Sequence, residues 1–326
     1  MSTLLKRPRI DPRYVPLAVT VSLFLAMAGT GSVLYDGFLA PQVFLNLLID
    51  NAFLCIVAVG MTFVILTGGI DLSVGAVVAL TTMISAQLVQ RNGVSPWLVF
   101  PLVLAIGSLF GLLQGYLVQR FRLQPFIVTL AGMFLARGLC YLISTESISI
   151  ANPVYSAIAQ ARVPMGSNTS LSVSAIIAIA VVLAGMWIAH RTQFGRTVYA
   201  IGGSESSARL MGLPTDSTVI RVYMLSGLCA ALGGVTLTFY MQSGYSLHAV
   251  GLELDAIAAV VIGGTLLRGG VGYVVGTLFG VLILGTIQTL IIFEGTLSSW
   301  WTRIVAGALL LAFCLLQRVL EAQRRG

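Results

Sequence analysis

Few residues in this sequence are placed to do chemistry. The most distinctive polar run inside apolar sequence is Gly68-Gly69-Ile70-Asp71-Leu72-Ser73. Two glycines interrupt a helix at no steric cost. Asp71 or Ser73 then caps the next helix by accepting from its free N–H groups, and a carboxylate there complements the positive end of the helix dipole. The same residues suit a gate or coupling hinge, because a carboxylate inside a membrane marks a working site by default. Glu253 and Asp255 open a later apolar run, as dipole partners or as contacts to an external solute. Arg137, in Phe134-Leu135-Ala136-Arg137-Gly138, is the one basic residue well inside an apolar run, and it needs an internal partner or a route to the surface. Polar side chains recur within the apolar runs, among them Asn51, Thr62, Gln114, Thr129, Tyr240 and Gln288. They glue helices together or line a path for an uncharged polar solute. Asn51, Thr62, Thr129, Tyr240 and Gln288 are the candidates for that path.

Enzyme chemistry has no visible constellation. There is no Gly-x-Ser-x-Gly nucleophile elbow and no His-Glu-x-x-His zinc helix. A phosphate loop of the G-x-x-x-x-G-K-[ST] type is excluded, because Lys6 is the only lysine. Cys55, Cys140, Cys229 and Cys314 each sit in an apolar segment without metal or redox spacing, and His190 and His248 lie far apart. The reading is a non-enzyme with no catalytic residue, no metal site and no cofactor.

The elements that position these residues follow from composition. Of 326 residues, 57% are hydrophobic and only 9% charged, against roughly 25% charged in a soluble domain. The expected fold is all-α and polytopic, inside a lipid bilayer. The net charge of +7 is spread between apolar segments, so it reports membrane orientation and carries no nucleic-acid signal. A basic head (1–13) precedes a first run ending in Ala26-Met27-Ala28-Gly29, which resembles a signal-peptidase site. A retained first helix is the simpler reading. Further runs at about 51–67, 72–90, 97–118, 125–144, 171–189, 219–240, 254–267, 271–292 and 299–317 bring the expected spans to ten. With the N-terminus inside, 14 of the 18 basic residues fall on the cytoplasmic side, so both termini are expected there. The membrane domain is then 14–318, with a short tail (319–326). Trp300 and Trp301 read as interfacial anchors, the outward loop 145–170 carries turn chemistry, and the sequon Asn168-Thr169-Ser170 reads as chance in a bacterial host.

Two stretches look alike, Val64-Ile65-Leu66-Thr67-Gly68-Gly69 and Val260-Val261-Ile262-Gly263-Gly264-Thr265. Each ends one apolar run and opens another within a few residues. A hinge is expected at Gly68, Gly69, Asp71 and Ser73 and again at Gly263 and Gly264. The longest polar interruption on the cytoplasmic side is 190–217, from His190-Arg191-Thr192-Gln193-Phe194-Gly195-Arg196 to Asp216. Its middle can form a short amphipathic helix, which reads as a docking element for a separate, energy-supplying protein.

The matching pieces are Asp50-Asn51-Ala52-Phe53, the run Gly60 to Gly75, Phe126-Ile127-Val128-Thr129-Leu130-Ala131-Gly132-Met133, Phe194-Gly195-Arg196-Thr197-Val198-Tyr199-Ala200-Ile201-Gly202-Gly203, and Gly263-Gly264-Thr265-Leu266-Leu267. With these, about residues 40–317 resemble the inner-membrane permeases of bacterial sugar ABC importers, the ribose/arabinose/galactofuranose group. Asp255 to Thr265 and Gly295 to Trp301 look closest to the galactofuranose permease. The resemblance implies a pore made by two permease subunits, identical or not, in the bacterial inner membrane. It also implies an ATP-binding cassette ATPase docked on their cytoplasmic loops and a periplasmic sugar-binding protein at the outer face. It assigns the docking role to Phe194, Gly195, Arg196, Tyr199, Gly202, Gly203 and Arg209. Ser204-Glu205 and Arg268 depart from the group's usual residues, which leaves the individual loop contacts open. The rival is an ion-coupled secondary sugar transporter, which calls for titratable residues at mid-membrane depth. Arg137 is the best placed of the few.

Overall fold

The computed structural model describes residues 15–166, 169–296, 298 and 300–325, with side chains described up to Gln317. The basic head, Asn168 of the sequon and the side chains of Arg318, Arg324 and Arg325 lie outside the described residues.

The apolar runs become helices, because hydrocarbon offers the backbone no other partner. In order they are α1 (Val15–Leu34), α2 (Pro41–Asp50), α3 (Ala52–Leu66), α4 (Val74–Ala86) with a π-helical turn (Gln87–Arg91), α5 (Pro96–Phe121), α6 (Pro125–Ile143), α7 (Pro153–Gln160), α8 (Val173–Arg191), α9 (Gln193–Gly203), α10 (Glu205–Leu210), α11 (Thr215–Met241), α12 (Leu252–Ile262), α13 (Val274–Glu294) and α14 (Trp300–Arg325). Pro41, Pro96, Pro125 and Pro153 each occupy the first helical position, where a missing N–H costs nothing. Two short antiparallel pairs, Ile148–Ser149 with Ser243–Gly244 and Arg162–Gly166 with Thr169–Ser172, tie the loops at one end.

Among the described residues, eight helices are long and apolar enough to cross a membrane. The expected span 51–67 is instead the second half of a pair, α2 and α3, bent by 61° at Asn51, whose amide turns back to the Leu47 carbonyl. The expected span 254–267 stops at Ile262. At ~1.5 Å per residue the 11 residues of α12 reach only about 16 Å, roughly half of a ~30 Å hydrocarbon core. Length alone therefore does not carry the count of ten.

The centre is α11 with α3, α4 and α5 around it. Every residue of α3 except Phe53 is buried. Gly107, Gly111 and Gly115 let α5 lie directly on α11: a Cβ at Gly111 would strike the Tyr223 carbonyl, and one at Gly107 would meet Gly227 and Ala231. Small residues at such spacing let membrane helices close on one another's backbones. Pro16 beside Gly264, and the Gln317 amide on the Val261 and Thr265 carbonyls, bring the start of α1 and the late turns of α14 to one end of the bundle. That end also carries α9 and α10.

Candidate functional site: the coupling end and the polar path

The two look-alike stretches fold alike. α3 ends at Leu66 and α12 at Ile262, followed by left-handed glycines Gly68 (φ 80°) and Gly264 (φ 89°). In each, the N–H beyond the glycine reaches back to close the helix, Gly69 to Val64 at 3.1 Å and Thr265 to Val260 at 3.1 Å. Both are Schellman ends, which only glycine enters without strain. The first turn meets the loop that follows the second, since the Gly270 N–H donates to the Leu66 carbonyl at 2.9 Å.

The helix α9 lies across this junction. Thr192 caps it, accepting from Gly195 N–H at 3.1 Å, and Ser204 caps α10, accepting from Ser207 N–H at 3.3 Å. One face of the pair is fastened down. The Phe194 ring sits 6.2 Å from that of Phe63, Gly195 lies on the Ile188 and Ala189 carbonyls, and Gly202 fits between Leu66 and Gly270, where a Cβ has no room. The Tyr199 hydroxyl donates to the Gly272 carbonyl at 2.8 Å. Burial pushes this phenol up to about 12, so it remains a donor at any physiological pH. The other face is free: Arg196 and Gly203 are exposed, and Leu210 and Met211 are 89% and 68% exposed. Arg209 pairs with Glu205 (3.1 Å) and Asp216 (2.6 Å), and Arg122 reaches the same two carboxylates. All four side chains are about half exposed, so each pair contributes under about 1 kcal/mol. The network orients α10 more than it stabilises it. Of the seven residues assigned to docking, four anchor the element, Arg196 and Gly203 face outward, and Arg209 braces it.

Asp71 is buried inside the bundle. It is 1% exposed and accepts from the Ser73 hydroxyl (2.6 Å), the Ser73 N–H (3.0 Å) and the Ser226 hydroxyl of α11 (2.7 Å). Ser226 lies about 16 Å along α11 from its start, so α4 begins inside the bundle. Neither Asp71 nor Ser73 makes the expected cap bond to the first turn of α4. The Ser73 hydroxyl is committed to Asp71, with the Gln114 amide oxygen 3.1 Å away, and the carboxylate is turned toward α11. No Lys or Arg among the described residues forms an ion pair with Asp71. The Gln114 amide nitrogen and the Tyr223 hydroxyl are buried without hydrogen-bond partners. A cavity of about 250 Å³ between the α5–α6 connection, Glu205 and the Gly68-Gly69 turn reaches Tyr223. Tyr223 and Ser226 escaped the sequence reading. Their signal is slight, a polar pair at i and i+3 in an apolar run.

The second carboxylate site also lies deeper than expected. Because α12 is short, Glu253 opens it beside the first turn of α4, where a Cβ on Gly75 would strike its carboxylate and the Ala249 carbonyl. Arg137 finds internal partners, donating to the Ser246 and His248 carbonyls. Two helices, α4 and α12, thus begin inside the bundle.

The five candidate path residues do not converge. Thr62 is glue, its hydroxyl 2.7 Å from that of Thr277 on α13. Asn51 is spent on the α2–α3 bend. Thr129 bonds its own helix and the Ile70 carbonyl near Asp71. Tyr240 lines a cavity of about 240 Å³ with Gln42, Asn46, Asp50 and Arg162. Gln288 lines another of about 460 Å³ with Asp255, Trp300 and Arg303.

A bundle of apolar helices with discontinuous elements meeting at its centre, and with an exposed, pinned helix pair at one end, defines a multi-pass membrane transport protein. The chain belongs to the family described as branched-chain amino acid transport system / permease component, which matches residues 43–314. It is 52% identical to the inner membrane ABC transporter permease protein YjfF of Escherichia coli K12, across 94% of this chain and 92% of that one. It is 42% identical to the fructose import permease protein FruG of Bifidobacterium longum (96% and 94% covered) and 40% identical to the ribose import permease protein RbsC of Bacillus subtilis (96% of each). No solved structure matches the chain. Proteins of this kind are transport components and not enzymes.

Proposed function

We propose that this chain is the membrane subunit of an ATP-driven importer for a neutral monosaccharide, working in the bacterial inner membrane. The names of its relatives, an inner membrane ABC transporter permease and permeases for fructose and ribose, support that class. Galactofuranose is the first choice of sugar, on the likeness at Asp255 to Thr265 and Gly295 to Trp301. The ATPase is a separate subunit docking on α9 and α10 at the cytoplasmic end, a sugar-binding protein delivers solute at the opposite end, and a second permease subunit completes the pore.

The observation that carries this reading is the fastening of α9. Its inward face bears on the end of α3 through Gly202 and on the loop leading into α13 through Gly202 and Tyr199, while Arg196 and Gly203 stay free. A push on the free face therefore reaches the end of α3 and the approach to α13 at once, and the first leads through Gly68-Gly69 into Asp71 and α4. The test is reconstitution with the ATPase and binding protein in proteoliposomes. Sugar uptake should require ATP, and Arg196→Glu should uncouple ATP hydrolysis from uptake in a protein that still inserts. Normal coupled uptake by that variant would overturn the docking assignment.

The buried, uncompensated Asp71 favours a second reading, an ion-coupled carrier, since such carriers place titratable groups within the membrane. Uptake that survives loss of the ATPase and collapses with the proton gradient would select it.

A further inference from the structure

We infer that the cleft between the end of α13, the start of α14 and the first turn of α12 is a monosaccharide-binding subsite on the permease itself. The inference rests on the sugar-import reading above. The cleft holds about 460 Å³, within the range of small-molecule sites. Its floor is apolar, from Leu54, Leu284 and Ile291, and three helices bring polar groups to it: Asp255 from α12, Gln288 from α13, and Thr302 and Arg303 from α14.

A carboxylate, a guanidinium and an amide are costly to set against lipid chains. Their convergence on one cleft favours a surface that meets water or a polar solute. The cleft lies toward the ends of α13 and α14 away from the coupling helices, on the side from which an imported solute would come.

The groups select the ligand. Asp255 supplies an acceptor, Arg303 supplies donors, and Gln288 and Thr302 supply both. The two charges face one cavity without an ion pair between them. Together they are neutral, which disfavours an anion or a cation. Trp300 adds a flat apolar face, and the Arg303 guanidinium sits 5.5 Å from its ring centroid, holding the two side chains together. A ring that is apolar on its C–H face and lined with hydroxyls at its edge meets all of these demands. A lipid chain or a charged amino acid does not.

The test uses the assembled transporter in proteoliposomes with saturating binding protein, offered D-ribose, D-fructose and D-galactofuranose in turn. If the wild type imports none of the three, the sugar-import reading fails first. Given one imported sugar, Asp255→Asn, Gln288→Leu and Trp300→Ala should each lower its maximal uptake by about tenfold or more, the size of one or two lost hydrogen bonds. Assembly is checked by size-exclusion chromatography. Uptake within about twofold of wild type in all three variants would overturn the subsite and leave the import reading standing. Should the variants fail to assemble, Gln288→Cys in the full chain in nanodiscs decides. Labelling by a membrane-impermeant maleimide should slow at least about threefold in the imported sugar and not in glycerol. Equal labelling in both would overturn the subsite.

Discussion

Replacing Asp71 tests whether its carboxylate serves the hydrogen bonds or the charge. Three donors converge on it, two hydroxyls and one N–H, in a site that is 1% exposed. In Asp71→Ala the Ser73 N–H loses its acceptor outright, a loss of about 1–3 kcal/mol for a buried donor left unmade. The hydroxyls fare better. Ser73 has the Gln114 oxygen at 3.1 Å, and Ser226 can turn to a carbonyl of its own helix. Each forfeits about 0.5–1.5 kcal/mol of net hydrogen bonding, so the total loss is about 2–4 kcal/mol after partial recovery. Asp71→Asn keeps one oxygen for both Ser73 donors. Its amide then meets Ser226, whose hydroxyl can accept as well as donate. Both substitutions remove the ionisable group, and with it any penalty for a buried charge without a counter-ion, so hydrogen bonding is what separates the two variants.

The two variants should therefore separate. In nanodiscs, Asp71→Ala should unfold at clearly lower denaturant than Asp71→Asn, by the roughly 2–4 kcal/mol of hydrogen bonding that only the isostere keeps. Equal destabilisation of both would refute the reasoning, because the neutral isostere would then have lost something that hydrogen bonding does not supply. Uptake by Asp71→Asn completes the experiment. Full uptake makes Asp71 a structural tie between α4 and α11, and lost uptake in a stable protein gives the charge a role in gating.

Neighbouring glycines on α9 should behave oppositely. A Cβ at Gly202 has no room between Leu66 and Gly270, so Gly202→Ala should lower the yield of folded protein, by the ~1–3 kcal/mol typical of overpacking, as read by thermal stability in detergent. Gly203 has nothing within 4 Å of a Cβ, so Gly203→Trp should fold normally and lose ATPase docking in a pull-down. On α5, Gly111→Val would drive a branched side chain into the Tyr223 backbone and should abolish monodisperse protein in size-exclusion chromatography, whereas Gly138→Ala, in open space on α6, should be silent.

Much of the helical order is legible because hydrophobic runs broken by Pro and Gly leave few alternatives in a bilayer. The misreadings have local causes. The expected span 254–267 overran because Thr265-Leu266-Leu267 continues the apolar run, while the left-handed turn at Gly264 is a backbone event that hydropathy does not record. The likeness between the Gly68-Gly69 and Gly263-Gly264 stretches was visible in one dimension, and it proved to be one helix-ending geometry used twice. Asp71 was legible as a special residue, but its partners were not. Ser226 lies 155 positions along the chain, and one sequence contains no term linking such distances. The same holds for the cleft: Asp255 read as a dipole partner or a contact to an external solute, Gln288 as helix glue or part of a solute path, and Trp300 as an interfacial anchor, with nothing in one dimension to join the three. Each of those readings is local. What joins the three is the shortness of α12, which sets Asp255 below the outer ends of its neighbours and leaves a hollow where a full-length helix would have filled the bundle. On the subsite reading, the helix that falls short of spanning is the one that makes room for a solute.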